Sequence, residues 1–551
     1  MDMINESQAG QASARAGLAA RPARQDEPTA AGHPRRRAIL GVMCLSLLIV
    51  VIDNTILNTA LPTLARVLHA STTDLQWITD AYTLTFAALL IIGGALGDRF
   101  GRRNALLAGL VIFAAGSAWA AISGDSSTLI AARAVMGVGG AFVMPATLSI
   151  LTAVFPAKER ASAIGAWSAI AGVGIVVGPT LGGLLLAHFY WGSVFWVNVP
   201  LAGVALVAVI MVVPNLAGRR SAGTRLDTLG AILSAAAMLA VIDAVIEGPN
   251  RGWTAATTLG ELGIGAVLIV AFIYRELHVA NPLIDVRVFR HRAFSAASSA
   301  IGLTFLALFG SLFALTQYLQ LVHGYSPLSA GVRALPFAAA VMATAPLSSR
   351  LVATLGIRLV IPAGLTAMGG GLLMLTQVTP TTSYTFLAIG VAIMGAGMGL
   401  VMAPAGESIM SVLPAAQYGA GSAVNDTVQE LGGSLGIAII GSIVASSFRH
   451  SLDASGLPAA LTAPARSSIA AADATAAHAG PLAGHVLDIA HHSFTSAMTT
   501  GFTVAGIIAL AGALIVAAAL PRRAATAGVG ERSELTEPGD LAPEYAGIAG
   551  K

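Results

Sequence analysis

The sequence predicts an all-α integral membrane protein of fourteen transmembrane helices, arranged as two six-helix halves with two helices inserted between them. Composition is the first observation behind this. Of 551 residues 56% are hydrophobic and only 10% charged, with a mean hydropathy of +0.78, whereas soluble domains carry charge on roughly a quarter of their residues. The second is the recurrence of apolar runs of about 20 residues, the length that crosses hydrocarbon. They fall at roughly 38–61, 78–97, 105–123, 127–153, 162–187, 194–213, 229–246, 258–274, 296–320, 328–349, 358–377, 385–409, 420–446 and 494–520. The third is the placement of basic residues, which favour cytoplasmic loops. With both termini inside, the inner segments hold 97–103, 156–160, 218–225, 274–292, Arg350, Arg358 and 521–523, leaving only Arg66, Arg251, Arg449 and Arg466 outside. An odd number of spans would destroy that asymmetry.

The remaining segments follow in order. Residues 1–37 are polar, rich in Ala, Arg, Gly and Pro, and end in Arg35–Arg37; this reads as a disordered cytoplasmic arm with no cleavable signal peptide. Spans 1–6 occupy 38–213, a linker with spans 7 and 8 covers 214–293, spans 9–14 cover 294–520, and 521–551 is a cytoplasmic tail. The division rests on a weak internal repeat at an offset of eight spans. "GGALGDRFGRRNALLAGL" after span 2 and "APLSSRLVATLGIRLVIPAGL" after span 10 share a Gly-x-Arg step, Gly101 to Arg103 and Gly356 to Arg358. Paired six-span halves are an architecture of alternating-access transporters. The alanine-rich stretch 448–493 is expected to be a plain solvated outer loop, since its histidines (His450, His478, His485, His491, His492) match no tight metal motif.

Composition also excludes functions. Basic residues are scattered rather than gathered on a helix with aromatics, so no nucleic-acid partner is expected despite the net charge of +3. Lysine occurs only at 158 and 551, which reads as genomic bias toward arginine. Cys44 is the single cysteine, so neither an intrachain disulfide nor a cysteine metal site is available. The chain lacks a nucleotide-binding glycine loop, a zinc pattern and a plausible Ser-His-Asp set. A secondary transporter driven by an ion gradient, without a cofactor, is therefore expected, rather than an enzyme.

Charged groups inside apolar runs are the candidate site, because each costs roughly 2.5–3.5 kcal/mol even on the lenient insertion scale. Asp53 lies in "VVIDNTILNTALP", Asp80 in "QWITDAYTL" and Arg133 in "LIAARAVMGVGGA". A rise of 1.5 Å per residue puts all three in the outer half of the membrane, so either aspartate is a candidate partner for the arginine, Asp53 lying deeper. Burial favours a protonated carboxyl and a nearby guanidinium the charged one, so moving Arg133 relative to Asp53 switches proton affinity. In the second half Asp426 and Glu430 are four apart and share a helix face, near the inner end of their span. Glu407 lies near the inner end of span 12, Asp243, Glu247 and Glu261 at outer span ends, and Arg333 in span 10 calls for an acid the sequence does not identify. Trp77, Tyr82, Trp167 and Phe309 are aromatics able to face a lipophilic cation.

Six stretches in register resemble one family. "GALGDRFGRR" (Gly94, Asp98, Arg99, Gly101, Arg102, Arg103) resembles the signature loop of the major facilitator superfamily, Gly-x-Leu-Ala-Asp-Arg-x-Gly-Arg-Lys, with Gly97 and Arg103 as mild departures. The resemblance makes this loop a conformational latch. Arg133, Gly137 and Gly139 resemble the fourth-span motif of proton-coupled members, and "GVGIVVGPTLGG" (Gly174, Gly178, Pro179, Gly182, Gly183) the fifth-span motif of antiporters. "IDNTILNTALP" resembles the first-span motif of the fourteen-span drug:proton antiporters, and "WGSVFWVNVPLAG" and "NPLIDVRVFRHRAF" resemble that subgroup's sixth-span start and its linker. The resemblance implies a multidrug exporter of the bacterial cytoplasmic membrane. Lipophilic, mainly cationic drugs or dyes would leave in exchange for protons, with membrane lipid around a functional monomer and no accessory periplasmic partner indicated. The alternative is an exporter of an endogenous metabolite, siderophore or lipid on the same fold.

Overall fold

The computed structural model describes residues 33–215, 227–280, 282–283, 286–412 and 418–520, and every regular element among them is helical. Most of the expected arm, the basic segment 218–225 and the tail 521–551 lie outside the described residues. The long helices are α1 (Arg36–Val67), α2 (Thr72–Phe100), α3 (Arg102–Ala121), α4 (Ser126–Val154), α5 (Ala157–His188), α6 (Asn198–Val212), α7 (Thr228–Arg251) and α8 (Ala256–His278). They continue as α9 (Arg292–Gln317), α10 (Leu335–Leu355), α11 (Ile357–Leu375), α12 (Tyr384–Ser411), α13 (Tyr418–Asp453) and α14 (Ala483–Ala519). Among the described residues twelve helical segments are long and apolar enough to cross a membrane. These do not include α2 and α5, which are helices of 29 and 32 residues.

Local chemistry sets several helix ends. Ser71 and Asp74 cap α2 reciprocally: the Ser71 N–H donates to Asp74 Oδ2 (2.8 Å) and the Asp74 N–H to Ser71 Oγ (3.1 Å), satisfying two end donors at once. Asp125 caps α4 by accepting from the Thr128 N–H at 2.8 Å, and that bond holds its carboxyl below the ordinary range. Between α2 and α3 the chain reverses at Gly101, whose φ of 103° and ψ of 127° suit glycine alone. Gly356, with φ 78° and ψ 158°, does the same between α10 and α11. Gly101→Ala is expected to cost about 1–3 kcal/mol, read as a fall in the melting temperature of the purified protein; an unchanged melting temperature would remove the turn's need for glycine.

Packing repeats along the chain. In one bundle α2 and α3 pack on α4, and α1 packs on α5; eight helices later α10 and α11 pack on α12, and α9 packs on α13. The Gly-x-Arg step has the same destination in both places. Arg103 donates to the Ile210 carbonyl near the C-terminus of α6 (2.8 Å), and Arg358 to the Ala517 carbonyl near the C-terminus of α14 (2.9 Å). A cation at a helix C-terminus is favourable there. α7 and α8 form a hairpin beside the bundles, α7 touching α2 of one and α13 of the other. At its tip Arg251 bridges Asp243 (3.0 Å) and Glu261 (2.8 Å).

One expectation is corrected. Residues 448–493 are not an open solvated loop: α13 runs on to Asp453, helices Ala459–Ala465 and Ile469–Ala477 follow, and α14 begins at Ala483. Ile469, Ala470, Ala472 and Ala476 are buried, and their helix packs on α14 and α1. Alanine is the best helix former, so an alanine-rich segment interrupted by polar residues forms short helices and caps this end of the bundle. His491 lies 3.4 Å from Asp473 within it.

Candidate functional site

The stretch from Asp53 to Thr59 is divided by helical geometry. Residues two apart on a helix point about 200° away from each other. Asp53 accordingly faces α4 and α6 inside the first bundle, while Thr55, Asn58 and Thr59 wall a cavity on the opposite face of α1.

Asp53 and Arg133 form an ion pair with no solvent exposure on either side chain, Nη1 lying 2.5 Å from Oδ2. Asn198 of α6 donates through Nδ2 to Asp53 Oδ1 (2.8 Å) and to Ser117 Oγ (3.1 Å), and Ser117 donates to the Phe195 carbonyl (2.8 Å). Arg133 Nε donates to the Ile78 carbonyl at 3.1 Å, and its guanidinium stands 4.4 Å from the centre of the Tyr82 ring. Four helices therefore meet at one carboxylate and one guanidinium. Arg133 Nη2, Asn198 Oδ1 and the Tyr82 hydroxyl are buried without a partner. Such a pair is held by mutual compensation, and removing one member leaves an uncompensated buried charge.

Asp80 does not join this pair. It is fully buried at the seam between bundles, where Ser434 of α13 donates to its Oδ1 at 2.7 Å, and Oδ2 has no partner. One turn earlier Gln76 Nε2 reaches the carbonyls of Ile437 (3.1 Å) and Ala438 (3.0 Å) and Ser442 Oγ (3.3 Å). Gln320, just beyond α9, donates to the Thr59 carbonyl at 2.8 Å. A Cβ at Gly183 or Gly331 would strike the backbone of Leu328 or Pro179 across the same seam. The bundles are thus joined at the end that carries the α1–α2 turn.

The cavity lies just inside that closure, between α1 and Pro179 of α5 on one side and α9, α10, α12 and the short helix Pro327–Arg333 on the other. Phe305, Leu308, Phe309 and Leu312 make its apolar wall, Asn58 and Thr316 add neutral polar groups, and Arg333 lies at the end nearest the closure. This is the form of a small-molecule site, mostly apolar with a few polar groups.

The other expected residues separate. Gly174, Gly178 and Gly182 line one face of α5, and α1 fits against them: added Cβ atoms would meet Val51, Thr55 and Ile56 respectively. Thr55 Oγ1 also donates to the Gly174 carbonyl at 3.2 Å. Gly137 is closely approached by α2 and Gly139 by α3, and Gly94 sits against Pro145. In the loop Arg102 donates to the Ser149 carbonyl of α4 (2.9 Å) and Arg99 lies exposed beside the Phe100 ring; the Asp98 side chain lies outside the described residues. Asp426 and Glu430 are half-buried on α13, two turns and one turn before Ser434 respectively, and Glu407 is exposed on α12. None of the three lines the cavity. Of the aromatics, Phe309 lines it and Tyr82 stacks on Arg133, whereas Trp77 and Trp167 do neither. Asn198, Ser117, Gln76 and Ser434 went unnoticed in the sequence. Their only signal is a neutral polar residue in an apolar run, which most such runs contain.

Two packed helical bundles, a cavity between them closed at one end, and a buried ion pair behind the cavity wall define a polytopic membrane transport protein rather than an enzyme. The chain belongs to the Major Facilitator Superfamily, whose profile matches residues 43–437. It is 34% identical over 499 residues to the multidrug efflux pump LfrA of Mycolicibacterium smegmatis, covering 90% of this chain and 98% of that one. It is 36% identical over 482 residues to the methyl viologen resistance protein SmvA of Salmonella typhimurium, covering 86% and 96%. Among solved structures, a bacterial homologue of the human lysosomal transporter Spinster aligns with a TM-score of 0.64 at 17% identity, over 88% of this chain and 98% of that one. That likeness concerns the fold alone.

Proposed function

We propose that the protein is a proton-coupled multidrug exporter of a bacterial cytoplasmic membrane, moving lipophilic compounds, cations among them, outward by alternating access. The observation that carries this is the buried Asp53–Arg133 pair on one face of the helix whose other face walls the cavity. A proton on Asp53 cancels the charge that holds Arg133 and Asn198 to it. The α1 helix then loses its attachment to α4 and α6, and Thr55, Asn58 and Thr59 move with it. The proton gradient supplies the work, and no cofactor is required. In this reading α2 and α5 cross the membrane with the other twelve. Two halves, 38–213 and 294–520, are joined by 214–293 with α7 and α8 inserted, both termini are cytoplasmic, and a monomer suffices without a periplasmic partner. Drug cargo is supported by the relatives named for multidrug efflux and methyl viologen resistance, the latter a cationic compound. Asp80, held by Ser434 across the seam, serves as a second proton-responsive contact that keeps the outer end closed, with Asp426 and Glu430 further along the same helix.

Ethidium movement into inside-out vesicles tests the proposal. With the lumen made acid, ethidium is expected to accumulate, and a protonophore to release it. Folded protein that moves no ethidium under either condition would overturn drug export and favour the endogenous-metabolite, siderophore or lipid exporter.

A further inference from the structure

Several arginines have a carboxylate partner: Arg133 has Asp53, Arg251 has Asp243 and Glu261, Arg275 has Asp227, and Arg36 has Glu159. Arg333 differs. Among the described residues no carboxylate pairs with it, and it carries the only formal charge among the residues that line the cavity. Its guanidinium lies 3.9 Å from the centre of the Tyr325 ring and 5.0 Å from that of Tyr384. Nη1 is tied to the Ser329 carbonyl (3.2 Å) and hydroxyl, Nε is buried with no partner, and the Tyr384 hydroxyl donates to the Arg333 carbonyl at 3.2 Å. Two rings and a serine thus fix the orientation of a planar group that has five N–H donors and no acceptor.

A fixed cation in an apolar wall is costly, and the tyrosine faces compensate only in part. The cavity offers it no protein anion. Its lining also holds an aromatic pair, Phe305 and Phe309, with ring centres 5.8 Å apart. An occupant that satisfies both features has a flat apolar body and an oxygen able to accept from a guanidinium. We infer that Arg333 makes the closed end of this cavity a subsite for aromatic molecules bearing an anionic oxygen, a carboxylate or phenolate, so that the cargo range extends beyond lipophilic cations. The inference rests on the exporter reading of the cavity. Guanidinium favours such oxygens because its fork geometry matches them and it is weakly hydrated.

The test uses the full chain purified in detergent and two dyes of one xanthene core, anionic fluorescein and cationic rhodamine 123, each titrated by fluorescence anisotropy. Wild-type protein is expected to bind both. Arg333→Gln should weaken fluorescein about tenfold, the scale of one charged hydrogen bond, and leave rhodamine 123 unchanged or tighter. Arg333→Lys, which keeps the charge without the fork, should fall between wild type and Gln for fluorescein. Retained rhodamine binding shows that the variants are folded. Fluorescein binding that ignores Arg333→Gln, or an equal loss for both dyes, overturns the subsite. Wild-type protein that binds rhodamine 123 but not fluorescein overturns it too while leaving drug binding intact, and binding of neither dye overturns the cavity as a cargo site.

Discussion

Asp53→Asn is expected to reduce gradient-driven ethidium accumulation to the level of vesicles without the protein, and to lower stability by about 3–5 kcal/mol because Arg133 is left buried without its counter-charge. These two effects have separate origins. The stability loss belongs to the orphaned guanidinium, which keeps the Ile78 carbonyl, the Met136 sulfur and the Tyr82 face but no counter-charge; the transport loss belongs to the missing proton acceptor. Combining Asp53→Asn with Arg133→Met removes both charges. With neither charge left uncompensated the main cost of the single change is removed, so the double variant should regain most of the lost melting temperature and still accumulate nothing against a gradient. If the double variant regained gradient-driven accumulation, Asp53 would be a structural partner of Arg133 and the proton would have another carrier. Asn198 supplies a further check. Asn198→Ala removes one donor to Asp53 and leaves the ion pair, so a partial loss, smaller than that of Asp53→Asn, is expected in both measurements.

How much of this was legible follows from where each signal resides. A charge in an apolar run stands out whatever surrounds it, so Asp53, Asp80 and Arg133 could be read directly. Which aspartate met the arginine could not, because depth along a helix leaves its azimuth open: both lie in the outer half by residue count, Asp53 the deeper, yet Asp53 faces α4 and Asp80 faces α13. The glycine ridge was legible as a four-residue spacing, and its partner was not until α1 was seen against it. Arg333 was legible as a charge lacking an acid; its tyrosines come from two other segments and only the fold assembles them. The segment 448–493 was misread because hydropathy averages its alanines with its polar residues, whereas burial is decided residue by residue on each short helix.

The contact between α1 and α5 leads to the second large effect. Gly178→Ala is expected to disable transport and cost about 1–3 kcal/mol, the range for overpacking a well-filled contact. The new methyl would collide with the Thr55 side chain and approach the Ile56 backbone. Thr55 has little freedom to yield: it is branched at Cβ, and its hydroxyl is engaged with the Val51, Ile52 and Gly174 carbonyls at 2.9, 3.1 and 3.2 Å. The helices must therefore part, carrying Thr55, Asn58 and Thr59 away from the cavity and straining the Asp53 network behind them. Gly165→Ala in the same helix is the control, since nothing lies within 4 Å of its added Cβ, and an exposed helical glycine gains up to about 1 kcal/mol from alanine. Melting temperature and ethidium uptake of the two variants should diverge, Gly165→Ala at or above wild type and Gly178→Ala well below. Equal behaviour would mean that close approach of α1 and α5 is dispensable, and the movement of α1 that links proton to cargo would have to be sought against another neighbour.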